Sequence, residues 1–160
     1  MATETLKATV LKGLQDYLTG LGFRKRGSTF RKEVRDVVHL VSLQSSQSSS
    51  ASTLRITVNL AVAVPSLGGQ LDDVWSAQWR ERIGTLLPEP QDRWWNVSSS
   101  PEAEAVAQEM TQLLARYGLP AQARLSSTAD LLRLWNSGKS PGLTAIQAAR
   151  YVEQLRTSAV

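Results

Sequence analysis

Between Leu54 and Val64 the chain alternates: Leu54, Ile56, Val58, Leu60 and Val62 fall on one face, and Arg55, Thr57, Asn59 and Ala61 on the other. A period of two marks a strand, in which successive side chains point to opposite sides. Pro65 closes the run, because proline has no N–H to give to a ladder. A strand needs partners, and the candidates lie just upstream. Val37 to Gln44 is a dense β-branched run, and Phe23 to Val34 alternates more weakly, with Phe30 and Val34 inward and Arg31, Lys32 and Arg35 mostly outward. The links between these runs are too short for a parallel crossover, so the expected sheet is an antiparallel meander of three or four strands. The link from Ser45 to Thr53 is mostly serine and reads as a flexible hairpin tip.

On either side the period becomes helical. Leu6, Val10, Leu14, Leu18 and Leu21 form one stripe, helped by Leu11 and Tyr17, with Gly20 and Gly22 as the stop. From Asp72 onward Trp75, Trp79, Ile83 and Leu86 fall on one helical face, halted by Pro88-Glu89-Pro90. Ser100-Pro101-Glu102 reads as a helix start, with Val106, Met110, Leu113, Leu114 and Tyr117 as its stripe and Gly118 with Pro120 as its end. A short helix is expected from Ser127 to Gly138. Thr144 to Gln147 is a capping box for a last helix, whose buried side is Ala148, Val152 and Leu155. Strands followed by helices give an α+β fold: an N-terminal helix, the meander, then three to four helices packed mainly on one sheet face. One domain is expected over residues 1–160. It divides into helix plus sheet (1–65), a Trp/Arg-rich connection (66–99) and a helical C-terminal part (100–160).

The chain has 160 residues, no cysteine, a formal net charge of +4 and a sequence pI near 9.8. Without cysteine there are no disulfides and no thiolate metal sites. No apolar run is long enough to span a membrane, and the Met1-Ala2-Thr3-Glu4 start lacks the basic region of a signal peptide, so the expected compartment is the cytoplasm. The basic charge is polarised. Lys/Arg against Asp/Glu number nine to four in residues 1–60, four to eight in 61–120, and five to two in 121–160.

Catalytic signatures are sparse. His39 is the single histidine and sits in the β run on the face of Val37 and Val41, so we read it as structural. Gly138-Lys139-Ser140 matches the tail of a phosphate-binding loop, but Arg133 stands where the first glycine belongs and a helix precedes it; it reads as a helix-ending turn. Asp72-Asp73 and Glu102-Glu104 read as acids at helix starts. Arg24, Lys25, Arg26, Arg31 and Lys32 surround Phe23 and Phe30. That combination suits a nucleic-acid backbone with rings stacked on bases, or else an edge strand whose cations deter pairing while both rings point inward.

Five tryptophans is a high number, and Trp75, Trp79, Trp94 and Trp95 lie in the acidic third, with Trp135 apart. Adjacent indoles in an extended segment face opposite ways, so Trp94 and Trp95 are expected to part. Arg80, Arg82 and Arg93 lie among them. They are the candidate ligand or partner contacts, since guanidinium forks suit carboxylates and phosphates and stack on aromatic faces. The opposing expectation makes them latches onto Asp72, Asp73, Glu81 or Asp92.

Several blocks together carry a resemblance: residues 21–30 (Leu-Gly-Phe-Arg-Lys-Arg-Gly-Ser-Thr-Phe), Asp36 to Ser45, Thr57 to Val62, Trp79 to Gly84, and Asp92-Arg93-Trp94-Trp95. They are similar, in order, to a bacterial family known as domain of unknown function 4304, over roughly residues 6–118. Ala61 stands where that family often has glycine. The resemblance implies a bacterial source and supplies no activity or site residues. The expected function is therefore a non-enzymatic binding or interaction module, its partner an unknown protein or a small anionic ligand, with no cofactor and no membrane. The alternatives are a nucleic-acid-binding protein using residues 24–32 and an enzyme acting on an anionic substrate.

Overall fold

The computed structural model describes residues 2–158. Helix α1 (Thr3–Thr19) leads into strands β1 (Arg24–Arg26), β2 (Thr29–Val34), β3 (Val37–Ser45) and β4 (Leu54–Ala63). Two 3-10 turns, Pro65–Leu67 and Val74–Ser76, precede β5 (Trp79–Arg82). A third, Ile83–Leu86, and a loop lead to β6 (Trp95–Val97). Helices α2 (Ser100–Leu113), α3 (Leu119–Ala123), α4 (Thr128–Asn136) and α5 (Ala145–Ser158) complete the chain. No helix among the described residues is long and apolar enough to cross a membrane.

The sheet is antiparallel throughout in the order β1-β2-β3-β4-β5, and β6 also pairs with β4. It has six strands, more than the three or four expected. Strand β4 is long enough to carry two short partners end to end on one edge: β5 along Asn59–Val62 and β6 along Leu54–Ile56. Its expected core face is confirmed, since Leu54, Ile56, Val58, Leu60 and Val62 are all buried. They pack with Leu6, Val10, Leu14 and Leu18 of α1 and with Ala103, Val106, Ala107 and Met110 of α2. Leu21, assigned to the same stripe, is instead 41% exposed, because the chain has already turned away at Gly20. Gly22, with φ +95°, takes the left-handed conformation, and Gly20 stays right-handed.

The helix expected across Trp75, Trp79, Ile83 and Leu86 is not formed. Trp79–Arg82 is a strand between two 3-10 turns, and pairing with β4 overrides a spacing that fits a helix by coincidence. Nor does the helix from Ser100 stop at Gly118. Residues 114–118 form a π turn and the helix runs on into α3. The wider turn accommodates Pro120, which has no N–H for the ladder. Gly118 is helical, and its bareness serves packing: a Cβ there would lie 3.0–3.1 Å from Ile83, Leu114 and Leu60 side-chain atoms. The caps expected at Ser127 and at Thr144–Gln147 are both made, while α2 is capped by Ser99, one residue before the expected Ser100.

The second sheet face is covered in part. Leu71, Val74 and Ala77, from the segment after β4, pack on Val38, Leu40, Ala61 and Ala63. Buried polar groups fasten the layers. Gln78 accepts from Val64 N at 2.7 Å and donates to Gly68 O. Gln122 of α3 donates to Leu40 O and to Ala61 O, 2.9 Å each. His39 Nε2 lies 2.8 Å from Leu125 O. A carbonyl only accepts, so this nitrogen carries the proton.

Burial, helped by nearby Lys32, holds the His39 pKa below its ordinary 6.5, against the opposing pull of the Leu125 carbonyl. A lowered folded pKa means the unfolded chain takes up the proton first as pH falls. Stability should therefore be level above about pH 6.5 and decline below it, and urea titrations of His39→Gln across that range should show a flatter profile than the wild type. Ile56→Ala, at a fully buried position, should cost about 2–5 kcal/mol in the same measurement.

Candidate functional site

Register sorts the arginines by sheet face. Arg26, Thr29, Ser42, Asn59 and Arg82 are successive cross-strand partners, so they form one row across the face opposite α1 and α2. Arg24, Arg31, Leu40, Ala61 and Arg80 form the next row. The Leu71–Ala77 cover lies over the second row, which is apolar at its centre. Beyond it the face is polar, with Thr29, Ser42, Gln44, Asn59 and Arg55, and cations stand at both margins. Thr29 and Ser42 hydroxyls meet at 3.2 Å, and Asn59 donates to Gln44 Oε1 at 2.7 Å.

The five residues singled out around the tryptophans do not form one cluster. Arg80 is a latch: its guanidinium donates to Trp75 O and Gly142 O, its backbone N–H to Pro141 O, and it lies 5.8 Å from the Trp75 ring. The expected acidic partners are replaced by carbonyls. Trp75, at 57% exposure, is the most exposed large ring.

Arg93 and Trp95 belong to the helix side. Trp95 is buried, its indole N–H donating to Glu109 Oε2 at 3.0 Å. Arg93 lies 5.0 Å from its ring and donates to Glu109 Oε1 at 2.7 Å. Glu109 was not foreseen, and it replaces the acids expected to hold Arg93.

Trp94 faces the other way, as adjacent indoles in a strand must. It lies against the polar half of the sheet between two guanidiniums, Arg82 at 4.9 Å and Arg55 at 5.3 Å. Arg82 pairs with Asp92 at 2.8 Å, as expected for that arginine, and Asp92 also accepts from the Trp94 indole N–H. The Arg82 hydrogen bond is the main reason the Asp92 carboxyl titrates below its ordinary 3.8; slight burial opposes it and Trp94 assists. Arg82 Nε is buried without a partner, and Arg55 has no ion-pair partner among the described residues. Thr57, wholly buried in the interval between β5 and β6, donates to Arg93 O at 2.6 Å and fixes the Arg93–Trp94 peptide beside that edge of β4.

The basic segment occupies the opposite edge. Arg24, Lys25 and Arg26 are β1, exposed along its whole length, while Phe23 and Phe30 are buried. Lys32 lies 5.8 Å from the Phe23 ring, and Arg26 and Arg31 share Asp72. The rings thus point inward and offer no stacking platform. Asp73 caps a 3-10 turn rather than an α-helix. Among the described residues no three His, Cys, Asp or Glu side chains come together as metal ligands.

The Arg93–Glu109–Trp95 contact makes distinct demands on its members. Glu109→Ala leaves a part-buried indole N–H unpaired and should cost about 1–3 kcal/mol. Arg93→Ala loses a half-exposed ion pair and a ring contact and should cost about 1 kcal/mol, after allowing for solvent screening. Urea denaturation of the two single variants and the double variant would show costs that do not add if the three side chains act as a unit.

No curated protein and no solved structure matches this chain. Residues 14–124, from the middle of α1 to the end of α3 and including every strand, match the family described as domain of unknown function (DUF4304), so α4 and α5 lie outside the matched span. The chain is a member of the DUF4304 family.

Proposed function

We propose that the chain is a non-enzymatic binding module of the bacterial cytoplasm, taking up a small anionic ligand over the polar half of its sheet. The observation that carries this reading is the Trp94 indole held between the guanidiniums of Arg55 and Arg82. Stacking orients both forks and strips water from one side of each, which favours a carboxylate or phosphate approaching from the other. Asp92 is the one carboxylate paired within this group, leaving an excess of positive charge. Gln44 and Ser42, both half-exposed, supply uncharged hydrogen-bonding groups beside Arg82.

A thermal-shift screen of carboxylate- and phosphate-bearing metabolites, followed by calorimetry, tests the site. A ligand that stabilises the wild type should bind Arg55→Ala and Arg82→Ala at least about tenfold more weakly, the loss of one charged hydrogen bond. Arg93→Ala, on the other sheet face, should bind normally despite its lower stability. Equal binding by all four proteins would remove Trp94 and its arginines from consideration.

A further inference from the structure

The edge formed by β1 and β2, across the same sheet face from Trp94, borders a cleft of about 670 Å³ lined by Arg24, Lys25, Arg26, Arg31 and Lys32 with Glu33 and Asp72. We infer that this cleft is a phosphate-binding site in which Asp72 stands in the place of the ligand. Asp72 is gripped as an incoming anion would be, one guanidinium to each oxygen. Arg26 Nη1 lies 2.8 Å from Oδ2, and Arg31 Nη1 lies 3.0 Å from Oδ1. These contacts join residues 46 and 41 positions apart, so the chain's own fold delivers a carboxylate into a two-arginine fork.

Charge favours a more highly charged occupant. Five cations line the cleft against two carboxylates, an excess of three positive charges; Arg31 pairs with Glu33 as well as Asp72, and Lys25 and Lys32 reach the rim from the other face of their strands. A phosphate monoester carries about −1.5 to −2 at neutral pH and offers three acceptor oxygens. It can engage the fork and still reach Arg24 and Lys25, whose side chains have no hydrogen bond or ion pair among the described residues. The volume lies within the range of small-ligand sites, roughly 300–1,000 Å³. Discouraging edge pairing requires only exposed cations. It does not require a concave cleft or a shared carboxylate from another segment. With Phe23 and Phe30 buried, no ring is available to stack on a base, so the site recognises phosphate and is indifferent to the base.

Inorganic triphosphate, a purine and a pyrimidine nucleoside triphosphate, and a single-stranded oligonucleotide should be titrated calorimetrically. The proteins are the wild type, Asp72→Asn and the double variant Arg24→Ser/Lys25→Ser, each checked for native circular dichroism. Triphosphate should bind the wild type, bind Asp72→Asn roughly threefold to tenfold more tightly because the internal competitor has lost its charge, and bind the double variant more weakly. The double variant alters exposed side chains and keeps the test open if Asp72→Asn destabilises the fold. Equal affinity for inorganic triphosphate and both nucleotides assigns a free polyphosphate. Much tighter oligonucleotide binding, with a slope of about −0.7 per phosphate against log salt, assigns the same cleft to a nucleic-acid backbone. Absence of triphosphate binding in the wild type and in Asp72→Asn, affinities unchanged by the substitutions, or a marked preference for one base would overturn the inference.

Discussion

Every layer of this protein is referred to the pairing of β3 with β4. The two strands are joined over eight residue pairs, Val38–Ala63 to Ser45–Ile56, and β4 is buried on both faces. A strand so placed must satisfy its backbone on both edges. One edge is taken by β3, and the other is shared by β5 and β6 with an interval at Thr57 and Val58. The chain therefore has to leave β4 after Arg82 and return before Trp95. That detour sets Arg82, Asp92 and Trp94 close together on one face and sends Arg93 and Trp95 to the other. Gly84 makes the detour sterically feasible, since a Cβ there would fall 2.0 Å from Gln91 O.

The two sheet faces are held by different means. The helical side relies on apolar contact, close enough at Gly13 that an added Cβ would lie 2.6 Å from the Ala107 Cβ. The opposite side has only a short apolar patch, and its order depends on side chains reaching carbonyls and carboxylates: Gln78, Arg80 and Asp72. Groups of this second kind are individually weak when exposed and can exchange their partners for a ligand's oxygens. Both proposed anion sites lie on this side, where the fold holds arginines by polar contacts that another anion can imitate.

Much of the architecture was legible in the sequence because it rests on local patterns. The period-two run of β4, the α1 stripe, the caps of α4 and α5 and the inward turn of Phe23 and Phe30 all follow from neighbouring residues. What could not be read was set by distant ones. Trp75, Trp79, Ile83 and Leu86 imitate a helix, and only the vacant edge of β4 makes a strand of Trp79–Arg82. Gly118 and Pro120 look like terminators until Leu60 and Ile83 are seen to need the missing Cβ. Of the candidate site residues, Arg82 and Trp94 came together as their proximity in sequence suggested. Arg55 was passed over as an outward strand residue, and Glu109 gave no sign of serving Arg93 and Trp95 from a helix. Asp72, read as a helix-start acid, gave no sign of its arginines, which belong to β1 and β2.

The anchors from α3 and the residue after it bear on how the chain acquires its structure during synthesis. Gln122 reaches back 82 positions to Leu40, and Leu125 receives His39 from 86 positions away. Helix α1, made first, packs chiefly against α2, whose residues are translated some hundred positions later. Until α2 has been translated the amphipathic first helix lacks its mate, and until the ribosome has passed Leu125 the meander lacks its anchors at Leu40 and His39. At typical elongation rates of about 5–20 residues per second, that interval lasts on the order of five to twenty seconds. Contacts so widely separated in sequence also slow folding itself. Exposed cations along β1 suit such an interval, since charge on the first-formed edge of a half-built sheet discourages it from joining another nascent chain.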